Sequence, residues 1–423
     1  MRVVVVGGGW AGCAAAISAR KQGADVLLLE RTDMLLGTGL VGGIMRNNGR
    51  FTATEEMLAM SGGELFRLTD AHSLHRNIDF PGHNHTWLYN VAVMEPVVRN
   101  FLLEKGVEIH LETRIDGVEM DRNRIAAVTG KQGDDKVRHG GDAFVETTGT
   151  AGPQGNCAKY GNGCVMCILR CPTFGGRVSI AAKCGVTETI GKRGDAVGAM
   201  SGSCKILKES LSREIVETLN REGVAIIPIP ASLRSADKLA AKACQQYALP
   251  EYFDNIVLLD TGHAKLMTTH FPLPALRQIP GMENARYEDP YAGGLGNSMR
   301  YLAMSPREDT LRVKGVENLF CGGEKAGLLV GHTEAIVTGT LAGYNAAKCA
   351  GNEKLLAIPE TLAVGDAISY VRTRMETEEG LGYKYTFSGS VYFERMKEKG
   401  LYTLDVPRIQ ERVKEAGMTG VFG

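Results

Sequence analysis

The chain has 423 residues, 44% of them hydrophobic, and 48 Lys plus Arg balance 48 Asp plus Glu. That length supports roughly two or three domains around large cores, and the balance leaves no net field to gather nucleic acid or an anionic membrane. No apolar run reaches a membrane span and the first strand begins at residue 2, so a cytoplasmic chain with no cleaved signal peptide and no membrane partner is expected. Ten cysteines in a reducing compartment point, where they cluster, to metal or redox chemistry rather than disulfides.

Residues 2–30 read as an apolar strand, a Gly7-x-Gly9-x-x-Gly12 turn, an alanine-rich helix, a second apolar strand and a terminal acid, Glu30, 23 residues after Gly7. Each part has a task in holding a dinucleotide. Gly7 permits the tight turn, Gly9 lets backbone approach a pyrophosphate, and Gly12 allows helix to pack on strand, while the helix N-terminus offers free N–H groups to phosphates. Glu30 is the candidate for the ribose hydroxyls. The glycine-rich stretch from Gly37 to Gly43 follows, with backbone free of obstructing side chains.

Apolar spacing predicts helices over 54–70 and 92–105, and strands of a hairpin over 106–121 and 124–130. Between the helices, His72, His75, His83 and His85 have no acid or cysteine at metal-like spacing, so surface-loop histidines are the simpler account. Residues 141–149 form a strand running into a small-residue turn at Gly149, a second place where backbone can come close to a ligand.

Residues 151–310 are the least periodic. They predict a helix over 204–222, a strand over 224–230, a helix near 234–247 and a strand at 256–260. Here lies Cys157-x6-Cys164-x2-Cys167-x3-Cys171-Pro172. Its last three cysteines and the proline match the end of the bacterial ferredoxin run, whose first spacing is shorter. Four readings stay open: a [4Fe–4S] cluster, a redox dithiol at Cys164 and Cys167, a structural zinc site, and unconnected buried thiols. Cys184 and Cys204 are substitutes for Cys157 as a ligand, whereas Cys13, Cys244, Cys321 and Cys349 read as core residues. Cys157 is at most about 27 Å of extended chain beyond Gly149, near enough for electron exchange with a ligand there. Arg170, Arg177, Lys183, Lys192 and Arg193 surround the cluster, as a solvated face or as an anion site. Residues 291–300 read as a loop.

Residues 311–323 predict a strand closing on paired glycines, and 331–348 a long small-residue helix whose N-terminus carries partial positive charge. Amphipathic helices such as 407–416 fill the remainder.

Four segments carry a resemblance: GGGWAGCAAA at 7–16, LLLER at 27–31, VETTG at 145–149, and NLFCGGEKAG with GHTEAIVTGTLAGYNAA at 318–347. They resemble FAD-dependent oxidoreductases of the glutathione-reductase-like superfamily, with the C-terminal motif most similar to the GidA-like flavoproteins, which include tRNA-modifying enzymes. The resemblance implies that beginning, middle and end converge on one FAD. It implies contacts from Trp10, Ala11, Arg31, Ile115, Thr147 and Thr148 beside the glycines. It further implies that Gly323 and Glu324 lie along the ribityl-phosphate portion and that Gly331, His332 and Thr333 lie near the flavin pyrimidine edge.

The expected fold is α/β: a Rossmann-like, three-layer ββα FAD-binding domain from 1–150 and 311–350, an inserted α+β substrate domain over 151–310, and a helical region over 351–423. The expected function is hydride or electron transfer between a small molecule and flavin, relayed by the cysteine cluster. An electron-transfer protein is a candidate partner because no second βαβ unit for a nicotinamide is present, and a homo-oligomer is expected. The alternatives are a GidA-like RNA-modifying enzyme, disfavoured by the neutral charge, and a non-catalytic flavin or metal sensor.

Overall fold

The computed structural model describes residues 1–150, 170–197, 199–200, 203–234, 249–268, 271–288, 299–300 and 302–423. Its centre is a five-stranded parallel sheet built from β1 (Arg2–Val6), β2 (Asp25–Leu29), β3 (Glu108–His110), β4 (Ala143–Glu146) and β5 (Leu319–Cys321), in the order β5-β4-β1-β2-β3. All four strand pairings are parallel. β1, β2 and β4 are apolar almost throughout because both sheet faces are covered. The register sets Val6 beside Leu29 and Glu146, and Glu146 beside Cys321, so the strands' carboxyl ends form one edge. The chain leaves β1 for β2 on one side and returns to β4 on the other, which opens a crevice at that edge.

Two helices cover the sheet, α1 (Trp10–Lys21) and α2 (His332–Ala350). They cross at backbone contact: a Cβ on Gly339 would lie 2.2 Å from the Ala11 carbonyl oxygen, and one on Gly343 would lie 2.1 Å from that of Ala15. The small residues of both helices are thus a packing requirement, and the crossing brings the two helix N-termini to the same edge.

Between β3 and β4 the chain forms an antiparallel meander of Thr113–Asp121, Arg124–Gln132 and Asp135–Gly140. The expected hairpin is present with a third strand added, and residues 108–110 belong to the main sheet instead. A second core, with Ile206, Leu219, Leu258 and Leu266 at its centre, fills an inserted antiparallel sheet ordered Cys204–Ile206, Ala264–Leu266, Asn255–Asp260, Val224–Pro228. The fold is therefore a Rossmann-like α/β domain with an inserted domain. The C-terminal helices pack Val371, Tyr392 and Val413 into the first core. Among the described residues no helix is long and apolar enough to cross a membrane.

Three sequence expectations need correction. The helix over 204–222 begins only at Arg213, where the Ser212 hydroxyl accepts a hydrogen bond from the Ile215 N–H; Cys204 and Ile206 alternate into the core as a strand. The helix over 54–70 is two helices, Gly49–Ala59 and Glu64–Ala71, parted at Ser61, whose φ is 62°. The four histidines are not in a surface loop: they lie on or beside a hairpin, Ser73–Phe80 and His83–Tyr89, that buries Phe80 and Leu88 against Tyr252, Val257 and Leu259 of the inserted region. That hairpin packs into a third, smaller core shared with Ile44 and Met267, and its irregular register hides the period of two. The helix near 234–247 lies outside the described residues, as does 291–298 of the loop expected over 291–300; the last two residues of that stretch, Met299–Arg300, are instead a short strand paired with Ala199–Met200.

Candidate functional site

A cleft of about 290 Å³ opens at the carboxyl edge of the sheet. Its near end is mostly backbone. Gly7, at φ 105°, turns the chain so tightly that a Cβ would lie 2.5 Å from the Thr147 carbonyl oxygen, and a Cβ on Gly12 would lie 1.8 Å from that of Gly7. Gly12 therefore packs the helix onto the turn and does not line the cleft. Gly9 does line it: a Cβ there meets nothing nearer than the Leu36 carbonyl at 3.9 Å. Gly9 also caps α1 without any side-chain hydrogen bond, leaving the first-turn N–H groups available to an anion. A Cβ on Gly149, at φ 70°, would meet none of the described residues within 4 Å.

Glu30 borders this end, and its carboxylate accepts the Gly8 N–H at 2.6 Å and the Thr32 N–H at 2.9 Å. It braces the turn from which the phosphate-facing backbone starts. Arg31, Gly37 and Ile115 also line the cleft. Beneath the sheet edge, Glu146 is wholly buried and accepts the N–H groups of Ile180 at 2.9 Å and Ala181 at 2.8 Å. Burial pushes its carboxyl up, but Lys325, Arg177 and those N–H groups hold it below the ordinary carboxylate range.

The far end is made of side chains from distant segments. His332, the first residue of α2, hydrogen-bonds the Tyr89 hydroxyl through Nδ1 at 3.3 Å, and its ring leaves no room for a Cβ on Gly42. From the inserted sheet, Lys265 Nζ donates to the Val41 carbonyl at 2.8 Å and to Ser203 Oγ at 2.6 Å. Lys265 thereby ties the inserted sheet to the Gly37–Val41 turn beside His332. Opposite, Arg50 Nε pairs with the buried Glu334 at 3.1 Å, and Glu334 also accepts Thr386 Oγ1 at 2.6 Å and the Phe387 N–H at 2.8 Å. Lys384, Thr386 and Ser388 face the cleft while Tyr385 and Phe387 fill the core.

Of the sequence-predicted residues, Gly7, Gly9, Trp10, Ala11, Glu30, Arg31, Gly37, Ile115, Thr147, Thr148, Gly149, Gly323, Glu324, Gly331 and His332 all border this cleft. Gly12 and Thr333 are not among its lining residues. The Thr333 hydroxyl is buried and donates to the Met45 carbonyl at 2.6 Å. Sequence reasoning missed Arg50, Ser203, Lys265, Lys384 and Thr386. The run YKYTFS at 383–388 did carry a signal, since aromatic and polar residues alternate with the period of a half-buried strand. Arg50 and Glu334, 284 positions apart, carried none.

Cys157, Cys164 and Cys167 lie outside the described residues. Cys171 begins a one-turn helix and lies near enough to Arg31 to act on its charge, toward the Glu30 end of the cleft. Cys13, Cys204 and Cys321 are buried, with Cys321 pushed up to about 12 by burial, while Cys184 and Cys349 are half-buried. Among the described residues no group of three or more His, Cys, Asp or Glu is arranged to hold a metal. Arg177 is buried and paired with Glu188 at 2.8 Å, so it leaves the solvated face, whereas Arg170, paired with Asp33, Lys183 and Lys192 are partly or fully exposed, as that reading expects.

Residues 2–152 match the family model described as FAD dependent oxidoreductase, and residues 257–354 match that of glucose inhibited division protein A. The methylenetetrahydrofolate–tRNA-(uracil-5-)-methyltransferase TrmFO of Streptococcus sanguinis is 34% identical over 138 residues, 32% of this chain and 27% of that protein. The tRNA uridine 5-carboxymethylaminomethyl modification enzyme MnmG of Acholeplasma laidlawii is 32% identical over 137 residues, 32% of this chain and 21% of that protein. The match thus spans about a quarter of these curated relatives. The solved structure of Aquifex aeolicus GidA superposes with a TM-score of 0.63 at 14% identity, covering 98% of this chain and 76% of that one, a likeness of fold.

Proposed function

We propose that this GidA-like FAD-dependent oxidoreductase holds FAD along the cleft and passes hydride or electrons between it and a small-molecule substrate at the His332 end. One observation carries the reading: backbone from three distant parts of the chain, at Gly7–Gly9, Thr147–Gly149 and Gly322–Glu324, borders a single cleft together with the starts of two helices. FAD, when bound, supplies reversible electron-pair exchange at its ring system.

The chain's own residues bind and orient. The N–H groups at the start of α1 take the pyrophosphate, and Gly9 and Gly149 let backbone come close to it. Glu30, Arg31 and Ile115 border the nucleoside portion, with the Glu30 carboxylate facing ribose hydroxyls while it holds Gly8. Glu324 follows the ribityl portion, and the N-terminus of α2 at Gly331 and His332 favours negative charge on the ring's pyrimidine edge. In this reading residues 1–150 and 311–350 are the FAD-binding domain, 151–310 the substrate domain and 351–423 a helical flank. The electron relay through Cys157, Cys164, Cys167 and Cys171 rests on their spacing alone, and an electron-transfer protein would be its outer partner.

The second reading, an RNA-modifying flavoenzyme, is favoured by the printed activities of the TrmFO and MnmG relatives and opposed by the even charge balance. A salt-sensitive shift of tRNA by the purified chain distinguishes the two. The primary test is anaerobic purification, followed by chromatography of the released cofactor and assays for iron, sulfide and zinc. FAD near one per chain is expected; protein that stays colourless after FAD is supplied overturns the reading. A flavin spectrum without iron removes the relay, and zinc near one per chain makes the cysteines a structural site.

A further inference from the structure

Burying an ammonium group without a carboxylate partner is expensive, and folds keep such groups where a ligand supplies the missing charge. The cleft's cations are mostly matched: Arg50 faces Glu334 at 3.1 Å, Arg177 faces Glu188 at 2.8 Å, and Arg114 faces Asp116 at 3.5 Å. Two lysines differ from these three: Lys265, which donates to the Val41 carbonyl and Ser203 Oγ, and Lys384. Lys384 has the sparser set of bonds. It is 5% exposed and borders the cleft, and its Nζ donates to the carbonyl of its neighbour Tyr383 at 3.2 Å, with no carboxylate of the described residues in ion-pairing reach. Glu324 lies near enough to favour the charged form without pairing directly, and its carboxylate accepts the Thr150 hydroxyl.

The position is built rather than incidental. The Tyr385 N–H donates to the Leu328 carbonyl and the Val330 N–H donates back to the Tyr385 carbonyl, both within 3.0 Å, so residue 384 is fixed against the segment leading into α2. Tyr385 and Phe387 point into the core, which turns Lys384, Thr386 and Ser388 toward the cleft. Thr386 lies on the far wall with its hydroxyl proton given to Glu334, and Lys384, two residues before it, stands within reach of the Glu324 charge.

We propose that Lys384 is the anchor of an anion subsite at the far end of the cleft, taking the carboxylate or phosphate group of the small-molecule substrate, with Thr386 and Ser388 beside it. The inference rests on the FAD reading of the same cleft and assigns the substrate's charge. Burial holds the Lys384 ammonium down to about 8 despite Glu324, as expected of a cation awaiting a counter-charge. The alternative source of anionic oxygen is the cofactor's own pyrophosphate.

The test titrates the FAD-loaded full chain with benzoate and, separately, with inorganic phosphate, following the flavin absorption bands. A saturable shift with one of them is expected in the wild type. Lys384→Met weakens it about tenfold or more, Lys384→Arg restores most of it, and flavin content stays the same. Should Lys384→Met fail to fold, Lys384→Gln makes the same comparison with a polar tip. The subsite is overturned if neither anion perturbs the FAD-loaded wild type, or if the neutral variants bind as it does. It is also overturned if those variants fold but lose FAD, since Lys384 would then serve the cofactor. Wild type that binds no FAD defeats the underlying reading, a result distinct from all of these.

Discussion

The two ends of the cleft are built by different means. The near end is backbone held by missing side chains: Gly12 on Gly7, Gly339 on Ala11 and Gly343 on Ala15 allow helix, turn and helix to touch. The far end is side chains held by charge and hydrogen bonds, with Arg50, Glu334 and Thr386 drawn from three separate segments. A site made of backbone tolerates no added atom but needs few polar partners. One made of side chains tolerates changes of volume but not the loss of one member of a buried pair.

That contrast fixes the largest expected effect. Arg50→Leu leaves the fully buried Glu334 without its cation, at a cost of about 3–5 kcal/mol in urea unfolding, whereas Arg50→Leu with Glu334→Leu recovers much of it. Equal stability of the single and double variants would break the assignment of the far end to a buried ion pair. At the near end, Gly12→Ala sets a Cβ 1.8 Å from the Gly7 carbonyl oxygen, for about 1–3 kcal/mol of destabilisation and a drop in the flavin absorbance retained through gel filtration. Unchanged melting temperature and flavin content in that variant would remove the packing role of Gly12.

The same contrast explains what the sequence disclosed. Gly7, Gly9, Gly12 and Glu30 fall within one strand-turn-helix-strand unit whose spacing is dictated by local geometry, so that part of the near end was legible, while Thr113, Arg114 and Gly176, brought beside it from other segments, were not. Thr147, Gly149, Gly323 and His332 became legible through resemblance, because each ends a strand or starts a helix. The far end depends on which distant segments the fold brings together. Lys265 reads as one lysine in a short strand until the inserted sheet closes on Val41, and Thr333 reads as a neighbour of His332 until the helical turn rotates it behind the wall. The histidine hairpin was misread because its burial comes from a small third core, with Tyr252, Val257 and Leu259, that only the tertiary structure supplies.

A pH experiment sharpens the far end further. His83, beneath it, hydrogen-bonds Asn47 through Nδ1 at 2.6 Å, and Asn47 in turn accepts from Arg50 at 3.5 Å. Burial, reinforced by the Arg50 charge, lowers the His83 imidazole from 6.5 to about 3. Below pH 6.5 the unfolded chain takes up a proton that the folded one refuses, so stability falls as pH drops from 6.5 toward 3. The slope is up to about 1.4 kcal/mol per pH unit from this residue, with no contribution above 6.5. Denaturant titrations at pH 7, 5.5 and 4 should show a shallower decline in His83→Gln than in the wild type. Part of the slope survives, because His263 is lowered to about 2 by burial and then by Lys205, Lys265 and Lys208.

The smallest expected effect separates neighbours on one helical turn. Thr333 follows His332, yet its hydroxyl donates to the Met45 carbonyl at 2.6 Å, and Met45 belongs to the short strand Ile44–Arg46. Thr333→Val keeps the volume and removes the donor, at a cost of about 1 kcal/mol with flavin content unchanged. His332→Ala does the reverse: it removes a ring that borders the cleft and contacts Tyr89 and Gly42, so ligand-dependent flavin spectra change while the Met45 anchor persists. Flavin loss in Thr333→Val would restore Thr333 to the cleft wall and draw the far end one residue deeper into α2.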